Sequence, residues 1–119
     1  MKAFILISTI IELLAGLALF FAADKIPQLQ QLEAGELALL KMYGAAALGL
    51  GAFGLSAWRN YNNEGLVTSF LNAFLIFHVA VAIASRAAFA AGAMPDMNTT
   101  YLHGFLALIT AYFWLKNRG

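Results

Sequence analysis

Four apolar runs joined by short polar links leave this chain few folds to choose from. They cover about residues 3–23, 37–58, 66–89 and 101–115. A helix that crosses a bilayer needs roughly 20 apolar residues, within a range of about 17–25. The first three runs meet that length alone. The fourth meets it if the polar "MNTT" (97–100) begins the helix at the interface. Only helices or closed barrels satisfy every backbone group in lipid, and these runs do not alternate as barrel strands do. Composition agrees: 62% of residues are hydrophobic and 11% charged, against roughly 25% charged in a soluble domain. Too little charge is present to coat a water-facing surface.

The 119 residues allow a single transmembrane domain, 1–119, and the expected fold is an all-α, four-helix transmembrane bundle. The first run has a lysine and a "FAA" that mimic a signal peptide. It is longer than the roughly 7–15 apolar residues of a signal core, and it carries a carboxylate, so it is read as helix 1. The links "DKIPQLQQLEAGE" (24–36), "RNYNNEG" (59–65) and "AGAMPDMNTT" (91–100) are short. Short links make successive helices antiparallel neighbours, in up-down-up-down order. Pro27 is expected to break helix 1, and "QLQQL" (28–32) to form a short interfacial turn. Lys2, Arg59, Lys116 and Arg118 fall on the side of both termini, while Lys25 on the other side is set among Asp24, Glu33, Glu36 and Asp96. Basic residues mark the cytoplasmic face, so both termini are expected there, in a multi-pass protein of the cell inner membrane.

Helix 2 carries two stripes of small residues, Gly44, Ala47, Gly51, Gly54 and Ala45, Gly49, Ala52, Ser56. Helices in lipid associate by close approach through such residues. The stripes imply contact with two neighbours, and either one is a candidate surface for a homo-oligomer. "FAADKIP" (21–27) and "FAAGAMP" (89–95) share F-A-A-x-x-x-P after helices 1 and 3, which hints at a duplicated hairpin.

Polar residues within the runs are the informative part. Glu12 and His78 fall near mid-membrane, Lys41 and His103 roughly 8–9 Å further out at about 1.5 Å per residue, and Arg86 near the outer boundary. Asn72 lies inward of centre. A charge at the bilayer centre costs roughly 2.5–3.5 kcal/mol. Neutralising a glutamate at pH 7 costs about 3.7 kcal/mol from its ordinary pKa. The costs are similar, so Glu12 requires a partner. Ser8, Glu12 and Gly16 share a helix face, as do His78 and Ser85, and His103 and Thr110. Each helix thus has a polar stripe, expected to turn inward.

No H-E-x-x-H spacing, nucleophile motif or phosphate loop is visible, so no catalytic residues, metal or cofactor are assigned. His78 and His103 differ in depth by roughly 6–8 Å along their helices, which argues against a bis-histidine haem. The absence of cysteine excludes thiolate sites and disulfides, and a net charge of +1 gives no field for nucleic acid.

"LKMYGAAALGLG", "ASRAAF", "GAMPD" and "YFWLKNRG" together resemble the small four-helix bacterial inner-membrane proteins of DoxX-like type. The resemblance covers most of the chain and implies the fold, without a settled activity. The leading expectation is a binding or accessory membrane protein. Its outward-opening polar pocket would take an anionic or zwitterionic small molecule or a lipid headgroup. Lys41 and Arg86 would contact the anion, over a floor of Glu12, His78 and His103. The glutamate in helix 1 is also similar in placement to that of the small multidrug resistance transporters, which implies proton-coupled transport with Glu12 as carrier. Here it lies in "TIIELLAG", without the alanine that precedes it in that family, and Lys41 and Arg86 would repel a cationic substrate. A membrane enzyme acting on a lipid, with His78 or His103 as acid or base, is a third class.

Overall fold

The computed structural model describes the chain from Met1 to Arg118 except Gln31, and leaves out the side chains of Gln28 and Arg118. Four helices are present, α1 (Lys2–Phe21), α2 (Ala34–Arg59), α3 (Glu64–Ala90) and α4 (Asn98–Arg118), with short 3₁₀ turns at Ala23–Lys25 and Pro27–Leu29. No strand occurs among the described residues. Three helices, α1, α2 and α3, are long and apolar enough to cross a membrane. Their outward side chains agree: Ile7, Leu14, Phe21, Leu39, Ile76 and Ile83 are all exposed, a surface that suits lipid and not water.

Local chemistry sets the helix ends. α1 stops at Phe21, before Pro27, and that proline instead opens the second 3₁₀ turn. Gln31, part of the expected interfacial turn, lies outside the described residues. α2 starts at Ala34, three residues earlier than its apolar run, because Glu33 and Glu36 form a reciprocal capping box, with the Glu33 N–H donating to Glu36 Oε2 at 2.9 Å. Asn63 caps α3 by accepting from the Leu66 N–H at 3.0 Å. α3 ends in a Schellman motif: Ala93 N–H donates to the Ala88 carbonyl and Gly92 N–H to that of Phe89, with Gly92 at φ 75°. The two F-A-A-x-x-x-P segments therefore differ, since the first forms a 3₁₀ turn and the second a left-handed glycine stop.

Contacts group the described chain into two compact units, Met1–Asn62 and Asn63–Gly119, each an antiparallel helical hairpin. In the first, close backbone approach joins α1 to α2. A Cβ on Gly16 would lie 2.8 Å from the Leu48 N and 2.9 Å from the Gly44 O, and one on Gly44 would lie 2.7 Å from the Phe20 N. The stripe Gly44, Ala47, Gly51, Gly54 is buried, whereas Ala45, Gly49, Ala52 and Ser56 are exposed. One small-residue face is thus committed to packing within the chain and the other is not. At the end of the hairpin that holds the N-terminus, Lys2 Nζ sits 5.8 Å from the Trp58 ring centroid and 5.7 Å from that of Tyr61, a cation–π anchor.

The second hairpin pairs α3 with α4 through side chains. Val67, Phe70, Leu71, Phe74 and His78 form the buried stripe of α3, and His103, Ala107 and Thr110 are buried on α4. Phe74 packs edge-on against His78 with ring centroids 4.1 Å apart.

Candidate functional site

The α3–α4 seam is held by hydrogen bonds at several depths. Asn117 Nδ2 donates to Thr68 Oγ1 at 2.9 Å, and Trp114 Nε1 donates to Asn72 Oδ1. His78 and His103 meet Nδ1 to Nδ1 at 2.7 Å. Ser85 and Thr100 share a hydroxyl hydrogen bond at 2.9 Å. Thr110 turns its hydroxyl back to the Leu106 carbonyl at 2.6 Å. On α4 the partners are carried by steps of three, four and seven residues, the spacing that keeps side chains on one helix face.

These pairs give the register. Climbing four residues on α3, from Thr68 to Asn72, descends three on α4, from Asn117 to Trp114; the next 13, to Ser85, descend 14, to Thr100. On that register His103 stands about four residues outward of His78, an offset of roughly 6 Å. The depth difference expected from sequence is therefore present in the backbone. The imidazoles reach across one helical turn and close that gap. Both are buried, His78 at 0% and His103 at 6% exposure. Zinc–nitrogen bonds of about 2.0–2.1 Å place two tetrahedral ligands more than 3 Å apart, so the 2.7 Å contact is a hydrogen bond, with no room for a metal between these atoms.

That bond has a definite protonation logic. One Nδ1 must carry the hydrogen and the other must offer its lone pair. In a neutral pair the donor ring then has a bare Nε2, and the acceptor ring carries its hydrogen on Nε2. The dyad is asymmetric and holds two exchangeable protons.

The other expected site residues are described within their own hairpins. Arg86, exposed near the end of α3, lines an open depression of about 560 Å³ together with Ala82, Ile83, Ala87, Ala90 and Thr100. Neither histidine is part of that lining. Glu12 and Lys41 belong to the first hairpin. Glu12 is 4% exposed, on the buried stripe of α1 with Ile5, Ser8, Thr9 and Gly16, and within electrostatic range of Tyr43. Lys41 is half-buried, one turn before Gly44. Within the second hairpin the structure brings His78 to His103, and Arg86 to Thr100. Thr68, Thr100, Trp114 and Asn117 are bonding residues that the sequence reading did not single out. The signal for Thr100, Trp114 and Asn117 was the repeat of three- and four-residue steps on α4, extending the His103–Thr110 stripe in both directions.

No family model, curated protein or solved structure matches this chain.

Proposed function

We propose that this chain is a multi-pass protein of a bacterial inner membrane that binds the anionic or zwitterionic headgroup of an amphiphile at the outer end of α3. The supporting observation is the depression beside Arg86. Its volume lies within the roughly 300–1,000 Å³ usual for small-ligand sites. Its wall is methyl-rich, from Ala82, Ile83, Ala87 and Ala90, and its polar groups are one guanidinium and the Thr100 hydroxyl. A guanidinium fork matches phosphate or carboxylate oxygens two at a time, and the alanine wall accepts the first carbons of an acyl chain. The outward assignment follows from Lys2, Arg59 and Lys116 on the side of the termini, which leaves the α3–α4 link outside. Membership of the DoxX-like group, and with it the inner-membrane location, rests on the sequence resemblance.

Native mass spectrometry of the purified protein, with phosphatidylglycerol and phosphatidylcholine offered together, tests the reading. Arg86→Met is expected to weaken retention of phosphatidylglycerol about tenfold, the size of one charge-assisted hydrogen bond. Ala87→Phe is expected to block the depression and reduce retention of both lipids. Unchanged retention in both variants overturns the proposal.

The burial of Glu12 favours a second reading, proton-coupled transport with Glu12 as carrier, because an intramembrane carboxylate is costly to keep for packing alone.

A further inference from the structure

We infer that the α3–α4 seam conducts protons, with His78 and His103 as its central relay. This goes beyond headgroup binding at Arg86 and does not require it.

The first support is continuity. Projected onto α3 by the register above, the polar levels are Thr68 with Asn117, Asn72 with Trp114, Thr110, His78, His103, and Ser85 with Thr100. Thr110 stands about two residues inward of His78, and His103 about four outward. Successive steps are thus about two to four residues, or roughly 3–6 Å of helix, gaps that bridging water can span. From Thr68 to Ser85 the levels cover about 26 Å of helix, close to the roughly 30 Å of a hydrocarbon core.

The second support is the chemistry of the dyad. A proton arriving at the bare Nε2 of the donor ring makes that ring an imidazolium. Its Nδ1 hydrogen crosses the 2.7 Å bond to the partner Nδ1. The partner, now the imidazolium, releases the hydrogen from its own Nε2. One proton enters, one leaves, and the pair returns to neutral with its tautomers exchanged. Restoring them requires the N–H···N bond to open and the rings to exchange protons with water, so the reset limits the rate.

The third support is access. Thr100 bonds Ser85 and also lines the open depression, and it lies one turn from His103 on the same face of α4. The outer end of the series thus meets an opening at the protein surface.

The experiment uses the full chain in liposomes loaded with a pH-sensitive dye, with a potassium diffusion potential set by valinomycin. Wild type is expected to carry protons faster than protein-free liposomes. His78→Asn and His103→Asn each keep a hydrogen-bonding side chain at the seam but remove the relay, and should lower the flux at least tenfold with melting close to wild type. Thr100→Val should lower it by interrupting the outer end. Wild-type flux equal to empty liposomes overturns the inference, as does unchanged flux in a folded asparagine variant. If neither variant folds, ¹⁵N-histidine NMR of the wild type decides. A scalar coupling between the two Nδ1 nuclei, with exchange broadening from proton transfer, supports the relay; a static bond without exchange refutes it.

Discussion

A methyl group at Gly44 tests how the first hairpin is held. An ideal Cβ there would lie 2.7 Å from the Phe20 backbone nitrogen and 3.0 Å from Leu19 backbone and side-chain carbons. Non-bonded heavy atoms sit at about 3.5–4.0 Å, so Gly44→Ala must part α1 and α2 by roughly 0.8 Å. Two of these three atoms are backbone, so no rotamer change relieves the clash. A radial gap of about 0.5–1 Å already forfeits a quarter to a half of each dispersion contact across it, and overpacking of this kind costs about 1–3 kcal/mol.

The comparison that isolates this cost is Gly49→Ala. Nothing lies within 4 Å of a Cβ at Gly49. Both substitutions gain the same helix propensity, about 1 kcal/mol, and that gain cancels between them. Gly44→Ala is therefore expected to be about 1–3 kcal/mol less stable than Gly49→Ala. The assay is reversible unfolding in mixed micelles, titrated with a denaturing detergent and followed by circular dichroism. Equal stability of the two variants would show that α1 and α2 are not held by glycine contact.

Other outcomes follow from the remaining elements. Cysteines at Asn62 and Asn98, both exposed, should label from opposite faces of intact cells, with Asn98 reached from outside; labelling from one face defeats the orientation. Glu12→Gln should fold with melting close to wild type and lose pH-dependent transport if Glu12 is a carrier, whereas a loss of about 3–5 kcal/mol would mark one half of a broken buried ion pair. Trp114→Phe should destabilise the second hairpin by about 0.6–1.7 kcal/mol, the range for a membrane hydrogen bond, and Asn72→Leu added to it should cost little more if the two residues act only on each other.

Much of this was legible from residue patterns. The helical class followed from run length, and the buried stripe of α2 from glycine spacing. Depth along the chain placed His103 outward of His78 correctly, but depth is a backbone quantity. It does not report how far two imidazoles reach, so the expected shared floor of His78 and His103 did not extend to a direct hydrogen bond between them. The helix start at Ala34 was hidden from an apolar-run reading, because polar residues that begin helices lie outside the hydrophobic windows, whereas the start at Asn98 falls within the "MNTT" segment expected to open helix 4. Lys41 and Glu12 were read together with the histidines from depth and helix face, and both belong to the first hairpin.

The two hairpins solve the same problem in opposite ways. In the first, glycines let backbones touch, and Glu12 is the one ionisable group on the buried stripe of α1. In the second, α4 is not among the helices apolar enough to cross alone, and four of its polar or amphipathic residues bond to α3: Thr100, His103, Trp114 and Asn117. Their cost in lipid falls when α3 supplies partners, so α4 is expected to be stable in the membrane only as half of this hairpin. The polar residues of α4 are therefore explained individually by adhesion. Their spread along the whole seam, at levels about two to four residues apart through about 26 Å, and the placing of two histidines on one N–H···N bond near its centre are what adhesion leaves over, and proton movement accounts for both.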